Sequence, residues 1–323
     1  MLAFYCDQFV LPLPPGHRFP MRKYEMLRDR VAERFSGIVL QQPEAATEGE
    51  LALVHSPGYI AQVRDGTLSA AQQRAIGFPW SAAMAQRARR SVGATIQACR
   101  AALASGAAVN LAGGTHHARQ AGGEGFCVFN DVVVAASVMQ VEQMRLGRRL
   151  QVLVIDLDVH QGDGTAALVR NDPSIFSFSM HGRNNYPFEK QVSDLDVELD
   201  DLTSDEGYLV RLDQALCEID QRFEANLIIY LAGLDAHEGD RLGKLSLTAA
   251  GLQQRDEKVF SWAQARRIPV AMCMAGGYGA DLTAMVELQA DSIGRLWQFQ
   301  QNYDSSGSVL GEEVVSNIGD MSV

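Results

Sequence analysis

What this 323-residue chain has little of narrows its function first. Cysteine occurs five times, at positions 6, 99, 127, 217 and 273, with no CxxC pair. An odd, scattered set in a chain of this length argues against a disulfide framework and for reduced thiols in a cytoplasmic compartment. Lys and Arg number 28 against 39 Asp and Glu, a formal net charge of −11. That is the wrong sign for neutralising phosphates, so direct nucleic-acid binding is not expected. No apolar run approaches the roughly 20 residues that span a bilayer. The opening Met1-Leu2-Ala3-Phe4-Tyr5-Cys6-Asp7 lacks the basic, apolar and small-residue succession of a secretory signal. Neither a membrane nor an export route is expected. There is no GxxxxGK[ST] loop, and Gly276-Gly277-Tyr278-Gly279 and Gly162-Asp163-Gly164-Thr165 miss the GxGxxG spacing, so phosphate cradling is the poorer reading of both. Internal repeats and low-complexity tracts are absent as well.

What is present is the composition of an ordinary globular protein, 47% hydrophobic and 21% charged, with ample apolar area for a core. Four apolar runs each end in a polar cluster: Ala107 to Ala112 before Gly113-Gly114-Thr115-His116-His117, Val152 to Ile155 before Asp156-Leu157-Asp158-Val159-His160, Leu227 to Ala232 before Gly233-Leu234-Asp235, and Val270 to Ala275 before Gly276-Gly277-Tyr278-Gly279. Each reads as a buried parallel strand. Further strands are expected at Leu2 to Cys6, Leu51 to Val54 and from Asp172-Pro173 to Met180. Helices are expected at Met21 to Phe35, Trp80 to Ser105, Val132 to Leu146, Ser204 to Phe223, 248–266 and 281–298, with His181 to Asp196 a polar loop. The alternation predicts one doubly wound, mostly parallel α/β sheet with helices on both faces, a single domain over 1–300. Residues 301–323, rich in Ser and Gly, read as a tail free to move or to contact a partner. In such a sheet the ligand crevice lies beyond the carboxyl ends of the strands, where the four clusters meet.

Asp158 and His160 are two apart, so an extended backbone presents both on one face, and Asp235 at another strand end supplies a third donor. Two carboxylates and an imidazole suit a catalytic Zn²⁺ or Fe²⁺ with an open position. The plainer alternative, a hydrogen-bonded turn, weakens once a second acid lies in the same crevice. Tandem His116 and His117 fit an acid/base role, with Asp156 and Asp163 free to hold one imidazole each through Nδ1–H. Tyr278 can donate a phenol to an oxyanion. Cys127 and Cys273 lie near this place, but buried cysteine is usually a small hydrophobe rather than a nucleophile.

These residues resemble the histone deacetylase superfamily, in order and spacing, over roughly residues 1 to 300. The matching motifs are Leu111-Ala112-Gly113-Gly114-Thr115-His116-His117-Ala118, Gly125-Phe126-Cys127-Val128-Phe129-Asn130-Asp131, Asp156 to Gly164 and Gly276-Gly277-Tyr278-Gly279. The stretch Gly233 to Gly243, and Gln161 where class I members usually have His, look most like the class IV branch and its bacterial relatives. The resemblance implies an arginase/deacetylase-like fold, Zn²⁺ on Asp158, His160 and Asp235, Tyr278 as transition-state donor and His117 as general base and acid oriented by Asp163. It implies an electrostatic role for His116 with Asp156, tunnel walls from Phe126 and Tyr186, a Gly125 carbonyl for the substrate amide and Leu242 on the rim. It also implies a structural K⁺ held by Asp156, Ser179 and the backbone of Asp158, His160 and Met180.

The chain departs from the pattern at one point. Ile76-Gly77-Phe78-Pro79-Trp80 has no acid where class I and II relatives clamp the peptide backbone, and an apolar rim of Phe78, Trp80 and Leu242 is expected to tolerate longer acyl chains. The leading expectation is a zinc amidohydrolase acting on acyl-lysine in protein or on a related acylated amine. The alternatives are an acetylpolyamine or other small-amide deacetylase, a binuclear arginase-like hydrolase, disfavoured by His237 beside Asp235, and a noncatalytic binder of acylated ligands, which needs neither base nor oxyanion donor.

Overall fold

Short apolar runs closed by glycine and polar turns become parallel strands in the computed structural model, which describes residues 1–7, 10–14 and 16–316, with side chains described as far as Tyr303. In chain order the elements are β1 (Leu2–Phe4), α1 (Arg22–Arg34), β2 (Val39–Gln41), α2 (Glu48–Leu51), α3 (Pro57–Asp65), α4 (Ala70–Ile76), α5 (Ala82–Ser105), β3 (Ala107–Asn110), α6 (Asp131–Arg145), β4 (Val152–Asp156), α7 (Asp163–Val169), β5 (Ile175–Gly182), β6 (Leu195–Leu199), α8 (Asp205–Arg222), β7 (Leu227–Leu231), α9 (Ala249–Arg266), β8 (Val270–Cys273) and α10 (Leu282–Ser316).

The strands form one 8-stranded sheet in the order β2-β1-β3-β8-β7-β4-β5-β6, and every pairing is parallel. The expected mostly parallel sheet is therefore wholly parallel. The four runs that end in polar clusters are β3, β8, β7 and β4, side by side at the centre, so their carboxyl-end loops converge on one crevice.

Each central strand is buried on both faces. In β4, Leu153 and Ile155 join the core under α8, α9 and α10, while Val152 and Val154 join the core under α5 and α6. This two-sided burial explains why the strands read as continuous apolar runs rather than as alternation. Long α5 starts at Ser81, whose side chain accepts from the Met84 N–H, and stops at Gly106 in a positive-φ conformation.

Several expectations are corrected. Leu51 to Val54 is not a strand. Thr47 and Glu50 form a capping box that starts α2, which ends at Leu51 and runs into a turn. The strand in that region is β2, three residues at the sheet edge with two of them exposed, too short to leave a pattern. The expected loop His181 to Asp196 overlaps both the end of β5 and the start of edge strand β6. Helices α3, α4 and α7 were not anticipated. The last helix, expected over 281–298, runs Leu282–Ser316 and takes up most of the expected tail, whose residues 317–323 lie outside the described ones. Among the described residues no helix is long and apolar enough to cross a membrane.

Candidate active site

The turn after β3 is built by buried polar side chains from the start of α6. Asp131 accepts from the N–H groups of Gly114 (3.0 Å) and Thr115 (2.7 Å) and from the Thr115 hydroxyl (2.6 Å). Asn130 donates its amide to the Ala118 carbonyl at 3.2 Å. With its backbone groups so paired, the turn holds His116 and His117 rigidly in the crevice, both nearly inaccessible.

Each imidazole has a carboxylate behind it. His116 Nδ1 lies 2.7 Å from Asp156 Oδ2, His117 Nδ1 lies 2.6 Å from Asp163 Oδ1, and the two Nε2 atoms are 3.2 Å apart. Asp163 also accepts from Arg119 Nη2 at 2.6 Å. The two rings are electrostatically unequal. Burial alone would lower His116, but Asp156 and Asp158 outweigh it and raise its pKa to about 9. His117 is lowered to about 4, first by burial and then by the charge on His116, against the pull of Asp163. At neutral pH His116 is thus a cation, and His117 is neutral, its Nδ1–H donating to Asp163 and its Nε2 unprotonated and facing His116 Nε2.

Beyond β4 and β7, Asp158, His160 and Asp235 bring one donor atom each to within 4.8 Å of one another. His160 Nδ1 is 2.9 Å from Asp158 Oδ1 and 3.2 Å from Asp235 Oδ2. The remaining oxygens are fixed by backbone, Asp158 Oδ2 by the Gly276 N–H at 2.7 Å and Asp235 Oδ1 by the Val159 N–H at 2.9 Å. Gly276 is required here, since a Cβ would fall 1.9 Å from Asp235 Oδ2 and 2.6 Å from Asp158 Oδ2. Burial, and then the charge on Asp158, push Asp235 up to about 7, while Asp158 is held below the usual carboxylate range by His116 and His160 despite its burial. Two buried carboxylates and an imidazole that crowd one another fit a divalent cation, which relieves their repulsion.

The residues expected to bind a monovalent ion lie just beneath. Asp156 faces Ser179 across the β4–β5 ladder with Met180 next to it, and Asp156 Oδ1 accepts from the Asp158 N–H at 3.1 Å. The Ser179 hydroxyl is 3.0 Å from His181 Nδ1.

Tyr278 lines the same cavity as Asp158, His160, His116 and His117. Burial, and then Asp158, raise its phenol well above the ordinary range, so it is protonated and able to donate. Phe126 forms a wall, its ring 6.0 Å from that of Tyr278 and 5.3 Å from that of Phe78. Phe126 and Gly125 both have positive φ, and a Cβ on Gly125 would lie 2.6 Å from His117 Cδ2. Tyr186 covers the other side, edge-on to His117 at 5.0 Å, with its hydroxyl donating to Glu124.

The expected rim is only partly formed. Phe78 is buried in the cavity wall. Trp80 faces away, donating its indole N–H to the Val63 carbonyl at 2.8 Å and packing over Gly66. Leu242 is half-buried in a neighbouring concavity with Arg18, Arg241 and Tyr278. His237 caps the Gly239 N–H at 3.0 Å instead of joining the metal cluster, and Gln161 donates to the Gln191 carbonyl and Asp196. Burial pushes the Cys127 and Cys273 thiols well above their ordinary range, so neither is a ready nucleophile.

Sequence reasoning missed Phe19, Tyr24, Met84 and Arg87, which complete the cavity, and Arg119 behind Asp163. They sit on α1, on α5 and in loops that carry no motif of their own. Glu124, beside Gly125, was legible as an acid but not as a partner of Tyr186.

Fold and site together define an α/β protein with one buried Asp-His-Asp donor set and two His-Asp pairs at the carboxyl ends of its central strands. Comparison with known proteins agrees: the histone deacetylase domain model matches residues 17–290, and the chain belongs to the histone deacetylase family. It is 43% identical over 286 residues to an uncharacterised protein of Picosynechococcus, covering 87% of this chain and 93% of that one. It is 33% identical to histone deacetylase 2 of Arabidopsis thaliana, over 79% of this chain and 66% of the plant protein. With the acetoin utilization protein AcuC of Bacillus subtilis it shares 33% identity over 64% of this chain and 58% of that one. Among solved structures, an HDAC homolog from Aquifex aeolicus shares the fold at TM-score 0.75 and 22% identity, over 90% of this chain and 82% of that one. Another HDAC homolog, complexed with SAHA, does so at TM-score 0.74 and 22% identity, over 94% of this chain and 83% of its own.

Proposed function

We propose that the protein is a zinc-dependent amidohydrolase that removes acetyl or longer acyl groups from the ε-amine of lysine or a related amine. The observation that carries the reading is the convergence of three elements on one cavity: the Asp158, His160 and Asp235 donor set, the two unequal His-Asp pairs, and a protonated Tyr278. Zn²⁺ suits the donors, with Fe²⁺ the alternative, and when bound there it supplies a Lewis acid toward an amide carbonyl and toward water. Asp156, Ser179, Met180 and the backbone of Asp158 and His160 are the residues to hold a structural K⁺ beneath it.

The protein's own groups move the protons. His117, neutral and oriented through Nδ1 by Asp163, takes a proton from the attacking water on Nε2 and returns it to the leaving amine. His116, kept cationic by Asp156, places positive charge beside the developing oxyanion, and Tyr278 donates its phenol O–H to that oxygen. Phe126 and Tyr186 flank the aliphatic stem, and the Gly125 carbonyl accepts from the amide N–H. Leu11, Phe19, Phe78, Met84 and Val128 give the inner cavity an apolar lining that suits acyl chains beyond acetyl. Each added methylene contributes at most about 0.8 kcal/mol there.

The test is hydrolysis of a fluorogenic acyl-lysine panel by the zinc-loaded protein, with and without chelator, beside N-acetylputrescine. Turnover of acyl-lysine that chelation abolishes supports the reading. Turnover confined to the small amide moves the substrate to a diffusible amine, and no turnover with metal bound rejects the reading.

A further inference from the structure

Arg255 on α9 has no exposed surface, and neither has its neighbour Asp256. The two pair inside the core, with Arg255 Nη2 at 2.9 Å and Nε at 3.0 Å from Asp256 Oδ1. Asp256 is held in turn by the hydroxyls of Tyr230 on β7 and Ser292 on α10, each donating at 2.5 Å. Replacing a buried ion pair by apolar side chains is often neutral or stabilising, so stability alone does not account for the charges. What the guanidinium adds is reach, because its planar fork serves Asp256 on one edge and leaves Nη1 for a second acceptor.

That acceptor is the Gly233 carbonyl, 2.5 Å from Nη1. Gly233 follows the end of β7 and precedes Asp235 by two residues, in a stretch that is neither helix nor strand. Its backbone lies against both carboxylate residues of the donor set: a Cβ on Gly233 would fall 2.8 Å from Asp158 Cα, 2.9 Å from Asp158 Oδ2 and 3.0 Å from Asp235 Oδ1. The following N–H, that of Leu234, donates to the Gly276 carbonyl at 3.0 Å, and the Gly276 N–H donates to Asp158 Oδ2. Arg255 therefore ties the peptide wedged beside Asp158 and Asp235 to a fixed charge pair on α9.

We propose that Arg255 is a positioning residue for the metal: by holding the Gly233 carbonyl it fixes the spacing of Asp158 and Asp235, and with it the affinity and geometry with which the Asp-His-Asp set takes a divalent cation. The inference rests on the proposed metal site and not on the acyl substrate, and it is tested without turnover.

The experiment uses the full-length protein, stripped of metal and titrated with Zn²⁺ and with Co²⁺, beside three variants. Arg255→Lys keeps a charge for Asp256, but one ammonium cannot serve that carboxylate and the Gly233 carbonyl as a fork does. Arg255→Met combined with Asp256→Asn removes both charges and keeps an acceptor for Tyr230. Ser292→Ala loosens the same cluster without touching the Gly233 tie. The two Arg255 variants are expected to raise the Zn²⁺ Kd about tenfold or more, to change the visible spectrum of the Co²⁺ form, and to speed hydrogen exchange in the peptide spanning 231–237 but not in β3 or β4. Ser292→Ala should lower the melting temperature and leave the Zn²⁺ Kd within about threefold. Should the double variant fail to fold, Arg255→Lys and Ser292→Ala carry the comparison. A Zn²⁺ Kd and Co²⁺ spectrum unchanged in Arg255→Lys overturn the proposal, as does a loss of affinity in Ser292→Ala as large as that in Arg255→Lys, which would make the effect a general loosening of the core. If the unmutated protein takes up neither ion, the metal reading fails, and exchange at 231–237 in the metal-free protein decides whether Arg255 holds the segment: faster exchange in Arg255→Lys supports the tie, unchanged exchange refutes it.

Discussion

Replacing His116 by Asn should move the acid limb of kcat/KM to higher pH. As the proposed base, His117 can act only when unprotonated, and its pKa is lowered from an ordinary 6.5 to about 4, by burial first and the His116 charge second. The ring centroids are 4.1 Å apart, and at an effective dielectric of about 20 two charges at that distance repel by about 4 kcal/mol. Asp156, bonded to the far side of His116, cancels part of this, and burial persists in the variant. A rise of about one to two pK units in His117 is therefore expected, each unit corresponding to about 1.4 kcal/mol. Asn keeps a donor for Asp156 and deletes only the cation; the leftover charge on Asp156 acts in the same direction, favouring protonated His117. The assay is kcat/KM on an acyl-lysine peptide from pH 4 to 9, with bound zinc measured at each pH, and ¹⁵N-histidine NMR of the zinc-loaded variant as a direct titration. A limb that stays in place or moves to lower pH at equal zinc content refutes the division of roles between the two histidines.

Three other outcomes follow from the same geometry. Tyr278→Phe should keep ligand binding and lose about 10² in kcat, the size of one oxyanion donor, and a loss under about threefold places the donor elsewhere. Asp235→Ala should abolish zinc retention while His117→Ala keeps the metal and loses turnover, so equal zinc loss in both would make His117 a ligand. Gly276→Ala should cost zinc affinity tenfold or more, because its Cβ would collide with the oxygens of both Asp158 and Asp235, and isothermal titration with Zn²⁺ giving an unchanged Kd would show that the turn yields.

The central architecture was legible because its physics is local. Strands buried on both faces must be continuously apolar, and a parallel sheet must put their carboxyl ends together, so the runs at 107, 152, 227 and 270 disclose both fold and crevice. Edge strands escape this logic. Val39–Gln41 has two exposed residues, and nothing in three residues distinguishes it from a loop, whereas Leu51 to Val54 looks strand-like until the Thr47 capping box is seen to start a helix one turn earlier. The rim failed for a related reason. Apolar Trp80 reads as a surface aromatic, but Gly66, at positive φ, leaves room for its ring and the Val63 carbonyl takes its N–H. Side-chain direction at a loop is set by partners far off in sequence.

The same limit separates the groups that do chemistry from those that hold them. Four buried aspartates surround the crevice, and the structure shows which are already balanced: Asp163 faces Arg119, and Asp156 faces a cationic His116. Asp158 and Asp235 are left sharing His160, with Asp235 pushed up to about 7. That local surplus of negative charge, rather than the Asp-x-His spacing, is the stronger physical argument for a divalent cation, since an isolated Asp-x-His can equally be a hydrogen-bonded turn. It also explains why the supporting cations were invisible beforehand. Arg119 and Lys23 are unremarkable in a chain with 28 basic residues, and only the fold brings one to the carboxylate behind His117 and the other to the carbonyl preceding Tyr278.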